Sequence, residues 1–162
     1  MPELQSGSAL DSLGGTRNEI GIVVSTYNSN ITEKLLNGAL ATLTAAGVAR
    51  PAVRVLRVPG AWELPLATKW LSELGSVACV IALGAVIRGE TSHDQHINRA
   101  VSNALMELMQ TSGKPIAFGL LTCNTLEQAI HRAGGDVGNK GEEAAQAVLA
   151  MLALRRSIGD AL

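Results

Sequence analysis

Seven consecutive apolar residues, Val77-Ala-Cys-Val-Ile-Ala-Leu83, stop at Gly84 and give way to the polar run Arg88-Gly-Glu-Thr-Ser-His93. The run is far shorter than the roughly 18 residues of a membrane span. It carries no polar alternation, so both of its faces must be covered. The chain predicted from it is a central strand of a parallel sheet with helices on either side. Ile97, Val101, Ala104, Leu105 and Leu108 follow at helical spacing. Gly84 to His96 is therefore expected to be a loop from the carboxyl end of a buried strand to the start of a helix. In open α/β sheets ligands bind at such places, where backbone N–H groups favour anions.

The rest of the chain repeats the same alternation. Ile20 to Val24 reads as a strand that ends in the turn-prone Ser25-Thr-Tyr-Asn28. Ile31, Leu35, Leu36, Ala39, Leu40 and Leu43 mark a helix that stops at Gly47. Ala52 to Val58 is a second strand closed by Pro59-Gly60, and a helix that accepts Pro65 in its first turn runs to Leu74 and a cap at Gly75. Ile116 to Leu121 is the fourth strand. Thr125 with Gln128 forms a capping box for a short helix ending at Gly134-Gly135, and Asn139 with Glu142 repeats that signal for a last helix to Arg156. Four strand–helix alternations predict an α/β sandwich with a parallel sheet. Residues 1–18 are polar, without an apolar segment, and read as a flexible tail; 19–162 read as one domain.

Composition narrows the function. A net charge of -1 gives no basic surface for nucleic acid or an anionic membrane. Cys79 and Cys123 are widely spaced and read as two reduced thiols, which fits a cytoplasmic protein. Only 2% of residues are aromatic, so an aromatic near a strand end counts as a candidate ligand contact.

Right-handed crossovers bring all four strand ends to one edge. Gathered there are Tyr27-Asn28, Pro59 to Glu63, Gly84 to His93 and Thr122 to Asn124, a pattern that points to a small-molecule site. Gly89, Glu90 and Thr91 at a helix start could seat a phosphate, or form an ordinary cap. His93 is a side chain type that exchanges protons near neutral pH, or a surface histidine. His93 and His96 lack a third ligand for a metal. Tyr27 and Trp62 could stack on a planar heterocycle or simply pack. Glu63 could bind hydroxyls or cap its helix, and Arg132 could meet phosphate or water. No Gly-x-Gly-x-x-Gly follows the first strand and no Walker lysine is present.

Five motifs then occur in a fixed order: Pro59-Gly-Ala-Trp-Glu-Leu-Pro65, Leu83-Gly-Ala-Val-Ile-Arg-Gly-Glu-Thr-Ser-His93, Phe118-Gly-Leu-Leu-Thr122, Glu127-Gln-Ala-Ile-His-Arg-Ala-Gly134 and Gly138-Asn-Lys-Gly-Glu-Glu-Ala-Ala145. In these the chain, from residue 19 to 156, resembles the 6,7-dimethyl-8-ribityllumazine synthase family. The resemblance implies a flavodoxin-like fold with strand order 2-1-3-4. It implies a transferase of riboflavin biosynthesis that joins 5-amino-6-(D-ribitylamino)uracil to 3,4-dihydroxy-2-butanone 4-phosphate without metal or cofactor. It further implies homopentamers, in some members closed into sixty-subunit icosahedral shells, association with riboflavin synthase, and active sites between subunits.

Carried over by motif, Tyr27 would stack on the pyrimidine beside Asn28. Ala61, Trp62 and Glu63 would hold ring and ribityl chain, with Val86 and Ile87 on the pyrimidine edge. Gly89, Glu90 and Thr91 would seat the phosphate, His93 would transfer protons, and Phe118, Arg132 and Lys140 would complete the site, Phe118 and Arg132 from the adjacent subunit. Three departures stand out. Tyr27 replaces the usual phenylalanine. Asp94-Gln95-His96 replaces an aromatic–acid–aromatic run, leaving Asp94 or Glu90 to orient the imidazole. Gly135-Asp-Val137 replaces a threonine-lysine-alanine turn. The rival readings are a non-catalytic flavin- or pterin-binding module and a cage-forming subunit on the same scaffold.

Overall fold

The computed structural model describes residues 19–159; the expected tail over 1–18 and the last three residues lie outside them. Four parallel strands, β1 (Glu19–Ser25), β2 (Val53–Val58), β3 (Val77–Ile87) and β4 (Ile116–Cys123), stand in the order β2-β1-β3-β4. Helices α1 (Ser29–Ala45), α4 (Leu126–Arg132) and α5 (Lys140–Gly159) cover one face. Helices α2 (Leu64–Glu73) and α3 (His93–Ser112) cover the other. This is the flavodoxin-like α/β sandwich. Alternate residues of β3 feed the two cores: Cys79, Ile81 and Leu83 meet α1 and α5, while Val80 and Ala82 meet α2 and α3. That two-sided burial is why the strand shows no alternation in its sequence.

The loop expected from Gly84 is shorter than its sequence suggests. β3 continues to Ile87, pairing Val86 with Thr122 and Ile87 with Cys123 as β4 lengthens beside it. Helix α3 starts at His93, before its apolar periodicity begins at Ile97. The connecting loop is thus only Arg88 to Ser92. At the end of α2, Leu74 turns extended (ψ 127°), and the turn Gly75-Ser76 leads into β3; Gly75, expected as the cap, stands just past the helix end with φ outside the left-handed region. Gly47, with φ 85°, does end α1 as expected.

Both capping signals are present. The Thr125 hydroxyl accepts from the Gln128 N–H at 3.2 Å, and the Gln128 side chain accepts from the Asn124 N–H at 2.8 Å, one residue short of the standard reciprocal bond. Asn139 Oδ1 accepts from the Gly141 and Glu142 N–H groups, and its Nδ2 donates to Lys34 O in α1 at 3.0 Å. One buried amide therefore both starts α5 and fastens it to α1. Between α4 and α5 lies a small antiparallel hairpin, β5 (Ala133–Gly135) and β6 (Gly138–Asn139), which the sequence did not suggest. His131 Nδ1 lies 3.5 Å from Asp136 Oδ2 at its turn.

Both cysteines are buried and unpaired. Burial pushes the Cys79 thiol up to about 12, so it has almost no thiolate character at neutral pH.

Candidate active site

A cleft of about 380 Å³ opens at the carboxyl ends of the strands. Its lining brings together Tyr27 and Asn28 after β1, Gly60 to Trp62 after β2, Ala85 to Ile87 at the end of β3, Gly89 and Thr91 in the next loop, and His93, Asp94 and Ile97 in the first turn of α3. Three of the four strand ends expected to converge do so. Thr122 to Asn124, at the end of β4, do not line it.

The walls are fixed by backbone bonds between loops. The N–H groups of Thr26 and Tyr27 donate to Val58 O and Pro59 O, at 2.8 and 3.0 Å, which extends the β1–β2 ladder past the sheet. Asn28 has φ 60°, the only non-glycine residue at positive φ among the described residues. Asparagine tolerates that conformation better than most residue types. Its Nδ2 donates to Ala85 O at 2.9 Å, so the strained residue bolts the first loop to β3. Tyr27 and Trp62 are left 72% and 60% exposed beside the cleft. Apolar rings held out in water, next to the half-buried Val86 and Ile87, suit a flat heterocycle slid between them.

At the other end, the Arg88 N–H donates to Cys123 O at 2.8 Å and holds the short loop against β4. The His93 N–H approaches Thr91 Oγ1 at 3.4 Å, a long contact. A Cβ placed on Gly89 would meet nothing within 4 Å, and its φ is not in the left-handed region. Neither packing nor backbone conformation within this chain calls for glycine there. The backbone at Gly89 is open on the side a Cβ would occupy, and Gly89 lines the cleft.

Several expected site residues stand apart from this lining. Glu63 spends one carboxylate oxygen on the Gly60 N–H at 2.9 Å, which closes the single turn Ala61–Glu63; the capping alternative is thus realised. Glu90 is exposed in the short loop. Phe118, 40% exposed, lies on the edge strand β4. Lys140 pairs with Glu143 at 2.9 Å. Arg132, exposed at the end of α4, makes no ion pair or hydrogen bond among the described residues. Burial raises the Cys123 thiol, and the Arg132 charge pulls it back down, which places the guanidinium near the end of β4. No side-chain hydrogen bond joins His93 to Asp94 or Glu90 among the described residues. Asp94, expected from the sequence as one candidate to orient the imidazole, lines the cleft. Among the described residues no cluster of three His, Cys, Asp or Glu side chains could hold a metal, and no helix is long and apolar enough to cross a membrane.

Comparison with known proteins adds a family to this geometry. A family model described as 6,7-dimethyl-8-ribityllumazine synthase matches residues 17–156. The chain is 53% identical over 136 residues to a protein of that name from Rhodopirellula baltica, covering 84% of this chain and 88% of the relative. It is 46% identical over 140 residues to another of the same name from Syntrophus aciditrophicus, covering 86% and 91%.

Proposed function

We propose, because the chain belongs to the 6,7-dimethyl-8-ribityllumazine synthase family, that this cleft is where it works as a transferase of riboflavin biosynthesis. The substrates are 5-amino-6-(D-ribitylamino)uracil and 3,4-dihydroxy-2-butanone 4-phosphate. The observation that carries the reading is the lining itself: exposed rings, apolar residues at the end of β3, an unhindered glycine, a helix start and an imidazole share one cleft.

The residues divide the work by chemistry. Tyr27 and Trp62 stack on the pyrimidine, Val86 and Ile87 meet its edge, and Asn28 and Ala61 complete the seat. The second Glu63 oxygen takes ribityl hydroxyls while the first keeps its turn closed. The N–H groups of Gly89, Glu90 and Thr91 face the phosphate along the α3 dipole. The 5-amino group attacks the ketone, water leaves and an imine forms. Loss of the imine's α-proton then expels phosphate, the resulting enol tautomerises, and the ribitylamino nitrogen closes the ring with loss of a second water. His93 accepts and returns protons along this path, and the leaving phosphate gathers charge beside fixed donors.

Phe118, Arg132 and Lys140 lie off this cleft in their own chain; a neighbouring copy would supply Phe118 and Arg132, with Lys140 close by. That supports a homopentamer in which each site spans two subunits; a sixty-subunit shell, association with riboflavin synthase and a cytoplasmic setting belong to the same proposal. A non-catalytic flavin-binding or cage-forming role has no observation in its favour, since all the catalytic loops are formed.

The test is direct. Purified protein given both substrates should yield the fluorescent lumazine and inorganic phosphate in equal amounts; no product would end the proposal. Arg132→Ala should raise KM for the phosphoester roughly tenfold or more, the worth of one charge-assisted hydrogen bond, with KM for the diamine little changed. Steady-state kinetics with each substrate varied in turn would show it.

A further inference from the structure

Asp94 occupies the first turn of α3 and lines the cleft beside His93. Its two oxygens have different surroundings. Oδ1 is sealed from solvent and receives no hydrogen bond, whereas Oδ2 is not among the sealed atoms. Oδ2 is thus the less enclosed oxygen of a residue that lines the cleft. Adjacent helical residues point roughly 100° apart, and no bond links this carboxylate to the imidazole, so Asp94 does not serve as the partner that orients His93.

A half-sealed carboxylate is an expensive thing to keep at a helix start, and a neutral side chain would avoid the cost. One turn further along the same stripe, Asn98 Oδ1 is sealed and unpartnered too. A half-turn of that amide, whose oxygen and nitrogen exchange places, sets an N–H₂ group at the spacing where amide–carboxylate pairs form on helices. Asn98 would then hold the inner oxygen and aim the outer one.

We propose that Asp94 is a specificity-determining residue for the diamine substrate, its open oxygen accepting an N–H or O–H hydrogen from that molecule. This rests on the reading of the cleft given above. A carboxylate only accepts. The diamine brings amino, ring N–H and hydroxyl donors, whereas the other substrate ends in a dianion that a carboxylate repels. Lining the same cleft, Asp94 favours the uncharged, donor-rich partner and disfavours a phosphorylated one in its place.

The experiment titrates the diamine alone against the intact assembled protein, followed by quenching of tryptophan fluorescence, in wild type, Asp94→Asn and Asn98→Ala. Asp94→Asn keeps the shape and removes the charge. It should weaken diamine binding by about 10- to 30-fold, as for one hydrogen bond to a charged group. KM for the phosphoester should hold or fall, and kcat should drop by less than about threefold. Asn98→Ala should weaken the diamine by a smaller factor, about threefold, and Asn98→Gln should recover part of the loss. Diamine affinity in Asp94→Asn within about twofold of wild type would overturn the assignment, as would a changed assembly size with affinity intact, which would give the carboxylate to a neighbouring chain. Failure of the wild type to bind the diamine would instead sink the reading of the cleft, and this inference with it.

Discussion

Gly141→Ala is expected to lower the apparent melting temperature by roughly 10 °C and to cost soluble yield. A Cβ on this residue would stand 1.9 Å from Leu35 O and 2.6 Å from Leu35 C, both backbone atoms of α1. No rotamer relieves such an overlap; α5 has to lift from α1. Lifting it strains the bond from the Gly141 N–H to Asn139 Oδ1 and the one from Asn139 Nδ2 to Lys34 O, which make the same junction. Overpacking commonly costs about 1–3 kcal/mol, and a backbone collision belongs at or above the upper end. At a few degrees per kcal/mol for a domain of this size, about 3 kcal/mol gives the shift stated. Gly75→Ala is the control, because a Cβ there meets nothing within 4 Å and φ is ordinary. Thermal denaturation of both variants decides: equal melting temperatures would show that the helices do not meet as described.

His93→Ala is expected to reduce kcat by about 10²-fold, the lower end of what one positioned acid or base contributes, with each KM within about threefold of wild type. Two further contributions survive the change. In the proposed site the substrates remain held face to face, and the N–H groups before α3 remain beside the departing phosphate. Turnover should therefore slow without vanishing. His93→Gln keeps a hydrogen-bonding side chain but cannot relay protons, and should be as slow as alanine. Single-turnover measurements with both substrates saturating separate this outcome from a binding defect; a KM effect without a kcat effect would remove His93 from proton transfer.

Much of this architecture is legible in local sequence because local physics specifies it. The two-sided apolar strand at Val77, the box at Thr125 and Gln128, and the amide at Asn139 each encode a backbone event within a few residues. What escaped depends on distant partners. The strand through Val86 and Ile87 exists because Thr122 and Cys123 pair with it, and no pattern near Gly84 announces that. The hairpin after Ala133 is built of glycines, whose sequence marks a turn but not a pairing. Among the site residues, Tyr27, Asn28, Ala61, Trp62, Val86, Ile87, Gly89, Thr91 and His93 meet in one cleft because they sit at strand ends. Asp94, expected from the sequence only as a possible partner for the imidazole, joins them in the lining, a placement that depends on packing no local pattern encodes.

Arg132 and His93 stand on different sides of the boundary that the proposed assembly draws through each reaction centre. Two impaired proteins should then be able to repair one another. Dissociated Arg132→Ala and His93→Ala subunits, reassembled together, would generate junctions where one copy contributes the intact imidazole and its neighbour the intact guanidinium. With random equal mixing about one junction in four would be whole, and with the phosphoester well below its KM about that fraction of wild-type turnover should be added to the variants' own; nothing would be added if every chain completed its own centre.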